Sequence, residues 1–206
     1  GGIVLPSRFR VRGIFKGVVL LIAKPFAKAG VSPDSVTYMS LLFAFFAFLS
    51  LPLTHSPLLY GILVFIAGLL DGVDGSVARL TNSSSTSGGF IDSVVDKISE
   101  MLILAAIAME YQDTLLIGLS VSLWVLFAIF GWLMTSYTRA RAQSLGVSDL
   151  DVGVGGRSER LLTLVIFSVF GLVLWGLCVV TIMGLGTAAY RLYHYKQQLS
   201  EVSALS

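Results

Sequence analysis

The amino-acid sequence predicts an all-α membrane protein, with six transmembrane helices preceded by an amphipathic helix that lies in the cytoplasmic interface. Hydrophobic residues make up 55% of the 206 residues and charged residues only 13%. The mean hydropathy of +0.86 is well above that of a soluble domain. Apolar segments long enough to cross a hydrocarbon core of roughly 30 Å, about 20 residues each, recur along the chain.

Residues 1–30 are predicted to form the interfacial helix. The segment combines basic residues with apolar ones such as Ile14, Phe15 and Val18, but its apolar core is too short and too basic at both ends for a span. Pro25 is expected to kink its second half. The alternative is an additional transmembrane helix, which would reverse the termini and scatter the positive charge.

Residues 31–198 are expected to form the membrane domain, followed by a short amphiphilic tail, residues 199–206. Ser32 and Pro33 suit the N-cap and the first position of the first helix. The last two spans share one apolar run that only Gly171 and Gly176 interrupt. The six predicted spans are Val36–Leu53, Leu58–Leu80, Ile91–Glu110, Leu115–Ala140, Glu159–Trp175 and Gly176–Tyr195.

The distribution of positive charge predicts the orientation. With six spans, all fourteen lysines and arginines lie at one set of helix ends, and the connections around residues 54–57 and 111–114 contain none. By the positive-inside rule, both termini are then on the cytoplasmic side of the cell membrane. The net charge of +2 favours anionic lipid headgroups over nucleic acid as a partner. The single cysteine, Cys178, excludes an intrachain disulfide.

Four carboxylates lie between Asp71 and Asp96, in sequence that is otherwise apolar. Ionisable residues at membrane depth are rare and mark functional sites. Asp71 and Asp74 are spaced i, i+3, and Asp92 and Asp96 are spaced i, i+4, so each pair projects from one helical face. Where two such faces meet, they gather the carboxylate oxygens that Mg²⁺ and similar hard cations require.

The neighbouring residues suit a phosphorylated ligand. Gly72, Gly75 and Gly88 leave space beside the acids, so that a bulky ligand can approach the backbone. Arg79 offers a planar cation for a phosphate oxygen.

Other interpretations of the acids are structural ion pairs with Arg79 and Lys97, or a cation-conducting path. Four acids against two bases leave uncompensated negative charge, which favours a bound metal. A transport path would distribute its acids through the bilayer depth. Asp34 and Thr37, one helical turn apart, are candidates for the same pocket, whereas Glu100 either extends it or hydrogen-bonds a neighbouring helix.

Four arginines flank the connection between the fourth and fifth spans. Any one of them can be an ordinary positive-inside charge. Together, opposite an acidic metal site, they favour a second phosphate-binding subsite, because a guanidinium matches phosphate oxygens in a bidentate manner. The four are Arg139, Arg141, Arg157 and Arg160.

The acidic motif resembles the signature of the CDP-alcohol phosphotransferases, the membrane enzymes that make phospholipid headgroups. It runs Asp71-x2-Asp74-Gly75-x2-Ala78-Arg79-x8-Gly88-x3-Asp92-x3-Asp96. The resemblance implies that the aspartates hold two divalent cations, Mg²⁺ or Mn²⁺, on the diphosphate of a CDP-linked lipid donor. It also implies that Asp96 is the general base, that the Gly, Ala and Arg positions lie against CDP, and that the protein is a homodimer.

Residues 136–146 and 153–160 are similar to the branch that uses inositol 1-phosphate as acceptor. They match S-Y-x-R/K-A-R-A-x-x-x-G and G-x-x-x-R-x-E-R, and the resemblance implies that Arg139, Arg157 and Arg160 hold the acceptor phosphate. Gln143 and Gly156 stand where the branch usually has Glu, and either departure can alter how the inositol hydroxyls are held.

The predicted reaction therefore transfers a lipid phosphoryl group from a CDP-activated dialkyl- or diacylglycerol to inositol 1-phosphate, with release of CMP. Other acceptors or donors within the family are glycerol 3-phosphate, serine, or CDP-inositol as the donor. A cation transporter is the alternative from a different class.

Overall fold

The computed structural model describes residues 11–147, 149–150, 152–153 and 155–205. The first ten residues of the predicted interfacial segment and the last residue of the predicted tail lie outside this part of the chain. The helices are α1 (Val11–Lys28), α2 (Pro33–Thr54), α3 (Pro57–Leu80), α4 (Thr86–Glu110), α5 (Val121–Ser144), α6 (Arg157–Val169) and α7 (Val173–Leu205). A short hairpin of β1 (Leu115–Leu116) and β2 (Leu119–Ser120) precedes α5. The all-helical fold class is confirmed.

Serine caps fix the beginnings of four helices. The side chain of Ser32 accepts a hydrogen bond from the backbone N–H of Ser35, with Pro33 at the first helical position, as predicted. Ser56, Ser85 and Ser120 cap α3, α4 and α5 in the same way. Side-chain oxygens thus satisfy N–H groups that the first turn of each helix leaves without intrahelical partners.

Four of the described helices, α2, α3, α5 and α7, are long and apolar enough to cross a membrane. Helices α4 and α6 also coincide with predicted spans, but neither is both long and apolar enough to be included. The first half of α4 carries the charged residues Asp92, Asp96, Lys97 and Glu100, and α6 has only 13 residues.

Two of the predicted helix boundaries are wrong. The fourth span was expected to begin at Leu115, but residues 115–120 form the hairpin, with Ile117 and Gly118 in the left-handed conformation. The fifth and sixth spans separate at Gly171, whose φ of +71° suits a residue without a side chain. Gly176, the predicted start of the sixth span, lies inside α7 instead.

Helices α2 to α7 pack in a closed ring. The order of neighbours is α3, α2, α4, α5, α7 and α6, and α6 returns to α3. Helix α1 packs mainly against α3. Buried apolar side chains from all six ring helices form one continuous core. In this ring, α2 packs against both α3 and α4, the two helices that carry the acids.

Helices α5 and α7 approach closely at a pair of glycines. A Cβ atom on Gly131 would lie 2.8 Å from the backbone nitrogen of Leu185, and one on Gly184 would lie 2.6 Å from Cδ1 of Trp132. Trp132 Nε1 donates a hydrogen bond to the carbonyl oxygen of Val180 at 3.1 Å. The absence of side chains at both glycines therefore allows the buried indole to bond directly to the backbone of the neighbouring helix.

Candidate active site

Three of the four predicted aspartates converge. One carboxylate oxygen from each of Asp71, Asp74 and Asp92 lies within 4.8 Å of the others. The first two project from the same face of α3, and the third comes from the first turns of α4, as the spacing predicts. Oxygen donors at this separation suit a hard divalent cation, so the triad can hold a metal ion.

Asp74 is held rigidly within this triad. Its side chain is buried, and Oδ2 accepts a hydrogen bond from Thr37 Oγ1 at 2.6 Å. Its other oxygen accepts from the backbone N–H of Gly75. Thr37 was predicted to line the ligand pocket, and the structure places its hydroxyl on a member of the acid triad.

Asp96 points towards a different partner. Its Oδ1 lies 2.9 Å from Nη1 of Arg157, and the same nitrogen pairs with Asp71. Arg157 is the first residue of α6, so its guanidinium connects the acids of α3 and α4 from the third helix. The structure thus brings the acid motif and one of the predicted acceptor arginines into direct contact.

Glu100, one helical turn beyond Asp96, completes this group. It is 3% exposed. Its Oε1 lies 3.3 Å from Arg157 Nε and 3.8 Å from Arg160 Nη2, and its Oε2 accepts from Lys97 Nζ at 2.7 Å. Of the two interpretations that the sequence left open, the structure supports contact with a neighbouring helix, because Arg157 and Arg160 belong to α6.

Arg160 is buried, with 1% exposure. Its Nη1 donates to the carbonyl oxygen of Gly155 at 3.0 Å, and its Cζ lies 4.6 Å from the centroid of the Trp132 ring. These contacts attach the start of α6 to α5, and they direct the guanidinium into the protein interior.

Sequence reasoning missed a further arginine that holds the segment before α6. Arg191 Nε donates to the carbonyl oxygen of Val152 at 3.0 Å, and its Nη1 donates to that of Thr135 at 2.7 Å. The backbone N–H of Gly155 donates to Thr187 Oγ1 at 3.1 Å. The signal was present, because Arg191 lies within a predicted span, where a charge needs a partner.

A cavity of about 330 Å³ opens beside the acids. Its polar part is formed by the triad together with Ser76, Arg79, Arg157 and Ser158. Its apolar part continues along α3 and α6, and α1 contributes a wall that sequence reasoning did not predict. The residues of the apolar part and of the α1 wall are Val64, Phe65, Leu69, Leu161, Leu162, Val165, Phe15, Lys16 and Val19.

Of the remaining residues predicted to bind CDP, Arg79 lines this cavity with two glycines of α3, whereas Ala78, Gly88 and Asp34 are not among its lining residues. Gly72 and Gly75 line it. Arg79 Nη2 donates to Ser76 Oγ at 3.0 Å, which directs its side chain back along α3. Ala78 lies half-buried on the same helix.

Gly88 lies where α4 approaches α2. A Cβ atom there would meet Asp34 Oδ1 at 3.4 Å, so the two residues are neighbours. This contact brings the start of α4 to the end of α2 that carries Thr37.

Two of the three predicted acceptor arginines, Arg157 and Arg160, face the same oxygen of Glu100, and Arg139 lies apart from them. Arg157 lines the cavity, Arg160 is buried behind it, and Arg139 is exposed on α5. Before α6, a Cβ atom on Gly155 would lie 2.8 Å from the carbonyl oxygen of Met183 on α7. The segment before α6 thus packs directly against that helix.

Known proteins share both the sequence pattern and the fold. The sequence profile of CDP-alcohol phosphatidyltransferase matches residues 30–192. Archaetidylinositol phosphate synthase from Pyrococcus horikoshii is 32% identical over 190 residues, which cover 92% of this chain and 97% of that protein. Phosphatidylinositol phosphate synthase from Cutibacterium acnes is 34% identical over 160 residues, which cover 73% of this chain and 72% of that protein.

The fold is similar to that of Mycobacterium tuberculosis phosphatidylinositol phosphate synthase. Its crystal structure with CDP-DAG bound has a TM-score of 0.71 at 22% identity, covering 86% of this chain and 93% of that one. Its structure in complex with manganese and citrate has a TM-score of 0.73 at 20% identity, covering 86% of this chain and 88% of that one.

Proposed function

Since this chain belongs to the CDP-alcohol phosphatidyltransferase family, we propose that it transfers a lipid phosphoryl group from a CDP-activated dialkyl- or diacylglycerol to inositol 1-phosphate. CMP is the second product. One observation carries this proposal: Arg157, whose guanidinium suits a phosphate, lines the cavity and pairs with Asp71 and Asp96 of the acid motif.

The acid triad, with Asp96 beside it, is proposed to bind two divalent cations, Mg²⁺ or Mn²⁺. Carboxylate oxygens are the ligands such ions prefer, and the triad offers three of them within 4.8 Å of one another. When bound, the cations supply positive charge that orients the donor diphosphate and stabilises the departing CMP. Thr37 keeps Asp74 in position for this role.

The donor is proposed to occupy the cavity with CDP at its polar part. Gly72, Gly75 and Gly88 admit the nucleotide, with Ala78 and Arg79 beside it. The apolar part, between α1, α3 and α6, suits the hydrocarbon chains of the lipid. Asp34, next to Gly88, is proposed to contribute to the same nucleotide site.

Asp96 is proposed to act as the general base. The acceptor hydroxyl oxygen attacks the lipid-linked phosphorus as its proton passes to the Asp96 carboxylate, and the bond from phosphorus to the CMP oxygen breaks. Arg157, 2.9 Å from Asp96, is proposed to hold the acceptor phosphate, so that the hydroxyl of the same molecule stays near the base.

The other acceptor arginines are proposed to act in different ways. Arg139 is exposed and can attract the acceptor anion towards the site. Arg160 has 1% exposure and contacts Gly155, so we expect it to fix the start of α6 and to act on the acceptor through Arg157.

At the level of the membrane, we propose that α2 to α7 form the six predicted spans, with α1 in the interface. Both termini and the active site then face the cytoplasm, and the protein forms a homodimer in the cell membrane. The basic residues at the helix ends near the acid motif support this orientation.

Release of CMP by the purified protein tests the function. With CDP-activated lipid and Mg²⁺ or Mn²⁺, inositol 1-phosphate is expected to stimulate release, and EDTA to abolish it. Glycerol 3-phosphate and serine serve as competing acceptors, and CDP-inositol as a competing donor. Release that depends on one of these but not on inositol 1-phosphate would overturn the proposed acceptor.

A further inference from the structure

Glu100 is the buried acid of the site that the proposed reaction does not use. An acid with 3% exposure loses its hydration, and only nearby cations offset this cost. The described neighbours supply three: Lys97 Nζ at 2.7 Å, Arg157 Nε at 3.3 Å and Arg160 Nη2 at 3.8 Å. Such a concentration of charge at one carboxylate suggests that its position matters to the site.

The contacts of Glu100 divide between its two oxygens. Oε2 is fixed by Lys97, one turn earlier on the same helix, and Oε1 faces the guanidinium groups of Arg157 and Arg160 on α6. Because Lys97 holds one oxygen, the other keeps its direction towards α6.

The guanidinium of Arg157 faces acids at two separate atoms. Nη1 pairs with Asp71 and lies 2.9 Å from Asp96 Oδ1, whereas Nε lies 3.3 Å from Glu100 Oε1. Among the described residues, neither Nε nor Oε1 has a hydrogen-bond partner, so the contact with Glu100 is an ion pair between buried groups. Its attraction acts on a different edge of the planar guanidinium from the contacts of Nη1.

We propose that Glu100 is a positioning residue for the acceptor side: its buried charge attracts Arg157 at the Nε edge, so that the guanidinium keeps one orientation towards the acceptor phosphate. This inference rests on the proposed function. Glu100 itself touches neither substrate. Without its charge, Arg157 is held only by Asp71 and Asp96 and can rotate about that contact.

The central test is a double-mutant cycle on Glu100→Gln and Arg157→Ala. Glu100→Gln is expected to raise the KM for the acceptor about tenfold, since one charged contact that orients the ligand is lost. The KM for the CDP-lipid should stay within about twofold. In the Arg157→Ala background, Glu100→Gln should add no further increase, because the side chain that it positions is already absent.

Two controls separate positioning from folding. Glu110→Gln removes an acid at the other end of α4, where Glu110 pairs with His55 at 2.8 Å, and should leave both KM values unchanged. Glu100→Asp keeps the charge and should recover part of the acceptor affinity. If Glu100→Gln fails to fold, the cycle is performed with Glu100→Asp.

Failure of this inference is distinguishable from failure of the proposed function. The acceptor is first identified with the wild-type protein, and the cycle is then performed with whichever phosphorylated acceptor releases CMP. Mn²⁺ affinity, measured by electron paramagnetic resonance without substrates, provides a second readout of the same cycle. Coupled effects of the two substitutions support the inference; additive effects, or an unchanged acceptor KM in Glu100→Gln, overturn it.

Discussion

Asp74 and Asp96 belong to the same motif, but their carboxylates contact different kinds of groups. Asp74 is buried and accepts hydrogen bonds from Thr37 and from the backbone of Gly75. Asp96 instead faces Arg157 across 2.9 Å. A carboxylate fixed by neutral donors suits a metal ligand, whereas one beside the arginine proposed to bind the acceptor phosphate suits proton transfer from the acceptor.

We predict that Asp96→Asn lowers turnover by about 10²-fold or more, because the amide cannot accept the proton of the attacking hydroxyl. Mn²⁺ binding should persist, since the triad of Asp71, Asp74 and Asp92 is unchanged. CMP release and Mn²⁺ titration check the two parts. Asp113→Asn, an exposed change at the opposite end of the bundle, is the matched control. Metal-dependent turnover near the wild-type rate would show that Asp96 is not the base.

We predict that Thr37→Val weakens Mn²⁺ binding about tenfold, because a buried hydrogen bond to a charged group is lost and Asp74 is no longer oriented. Thr37→Ser restores the hydroxyl and should bind Mn²⁺ nearly as well as the wild type. Direct titration of each variant with Mn²⁺ measures the difference. Equal affinities in Val and Ser variants would mean that the 2.6 Å bond does not support the metal site.

For single residues, the sequence predicted which side chains belong to the site better than it predicted which residues they contact. The spacing of Asp71, Asp74 and Asp92 was enough to predict their convergence, because helical periodicity places them on facing surfaces. The contact of Glu100 with Arg157, like that of Arg191 with Val152, joins segments far apart in the chain. Local periodicity carries no information about such pairs.

Among the helices, α5 and α7 illustrate how a missing side chain determines the distance between two elements. The close approach at Gly131 and Gly184 places Trp132 against the backbone of α7. Small residues at helix contacts are common in membrane proteins, where close van der Waals packing replaces much of the hydrophobic driving force.

We predict that Gly184→Ala destabilises the protein by about 1–3 kcal/mol, because its Cβ atom overlaps the Trp132 ring. Gly186→Ala is the control on the same helix, since a Cβ atom there meets nothing within 4 Å. Thermal unfolding in detergent, followed by tryptophan fluorescence, compares the two. If both variants have a lower midpoint of thermal unfolding, the loss of stability does not come from the packing of Trp132.

The helix boundaries were predictable only where polar residues mark them. Ser32 and Pro33 identified the start of α2 correctly. The residues of the hairpin before α5 are as apolar as those of the helix, so hydropathy could not separate the two. Gly171 and Gly176 are equivalent in the sequence, and the fold distinguishes them, because only Gly171 has a positive φ.

In the whole molecule, the acids of α3 and α4 lie at one end of the closed ring of helices. The loop between α3 and α4, which contains Ser83, follows the acid-bearing end of α3, and the connection containing Asp113 follows the other end of α4. The proposed orientation therefore assigns the two loops to opposite sides of the membrane.

We predict that a membrane-impermeant maleimide labels Asp113→Cys in intact cells, and labels Ser83→Cys only after permeabilisation. Both positions are exposed, and both substitutions are made in a Cys178→Ser background that removes the single native thiol. The positive-inside rule is the physical basis of the expectation. The reverse labelling pattern would contradict the proposed orientation and would mean that the active site faces the outside of the cell.

The brevity of α6 has a consequence for how the two substrates meet. A helix of 13 residues is about 20 Å long at ~1.5 Å per residue, roughly 10 Å less than the hydrocarbon thickness. Such hydrophobic mismatch is relieved by local thinning of the bilayer or by a hydrated depression above the short helix. Arg157, at its first turn, would then lie below the headgroup plane. Under the proposed function, the lipid donor would reach that depth by lateral diffusion within its leaflet, whereas the water-soluble acceptor would enter from the aqueous phase.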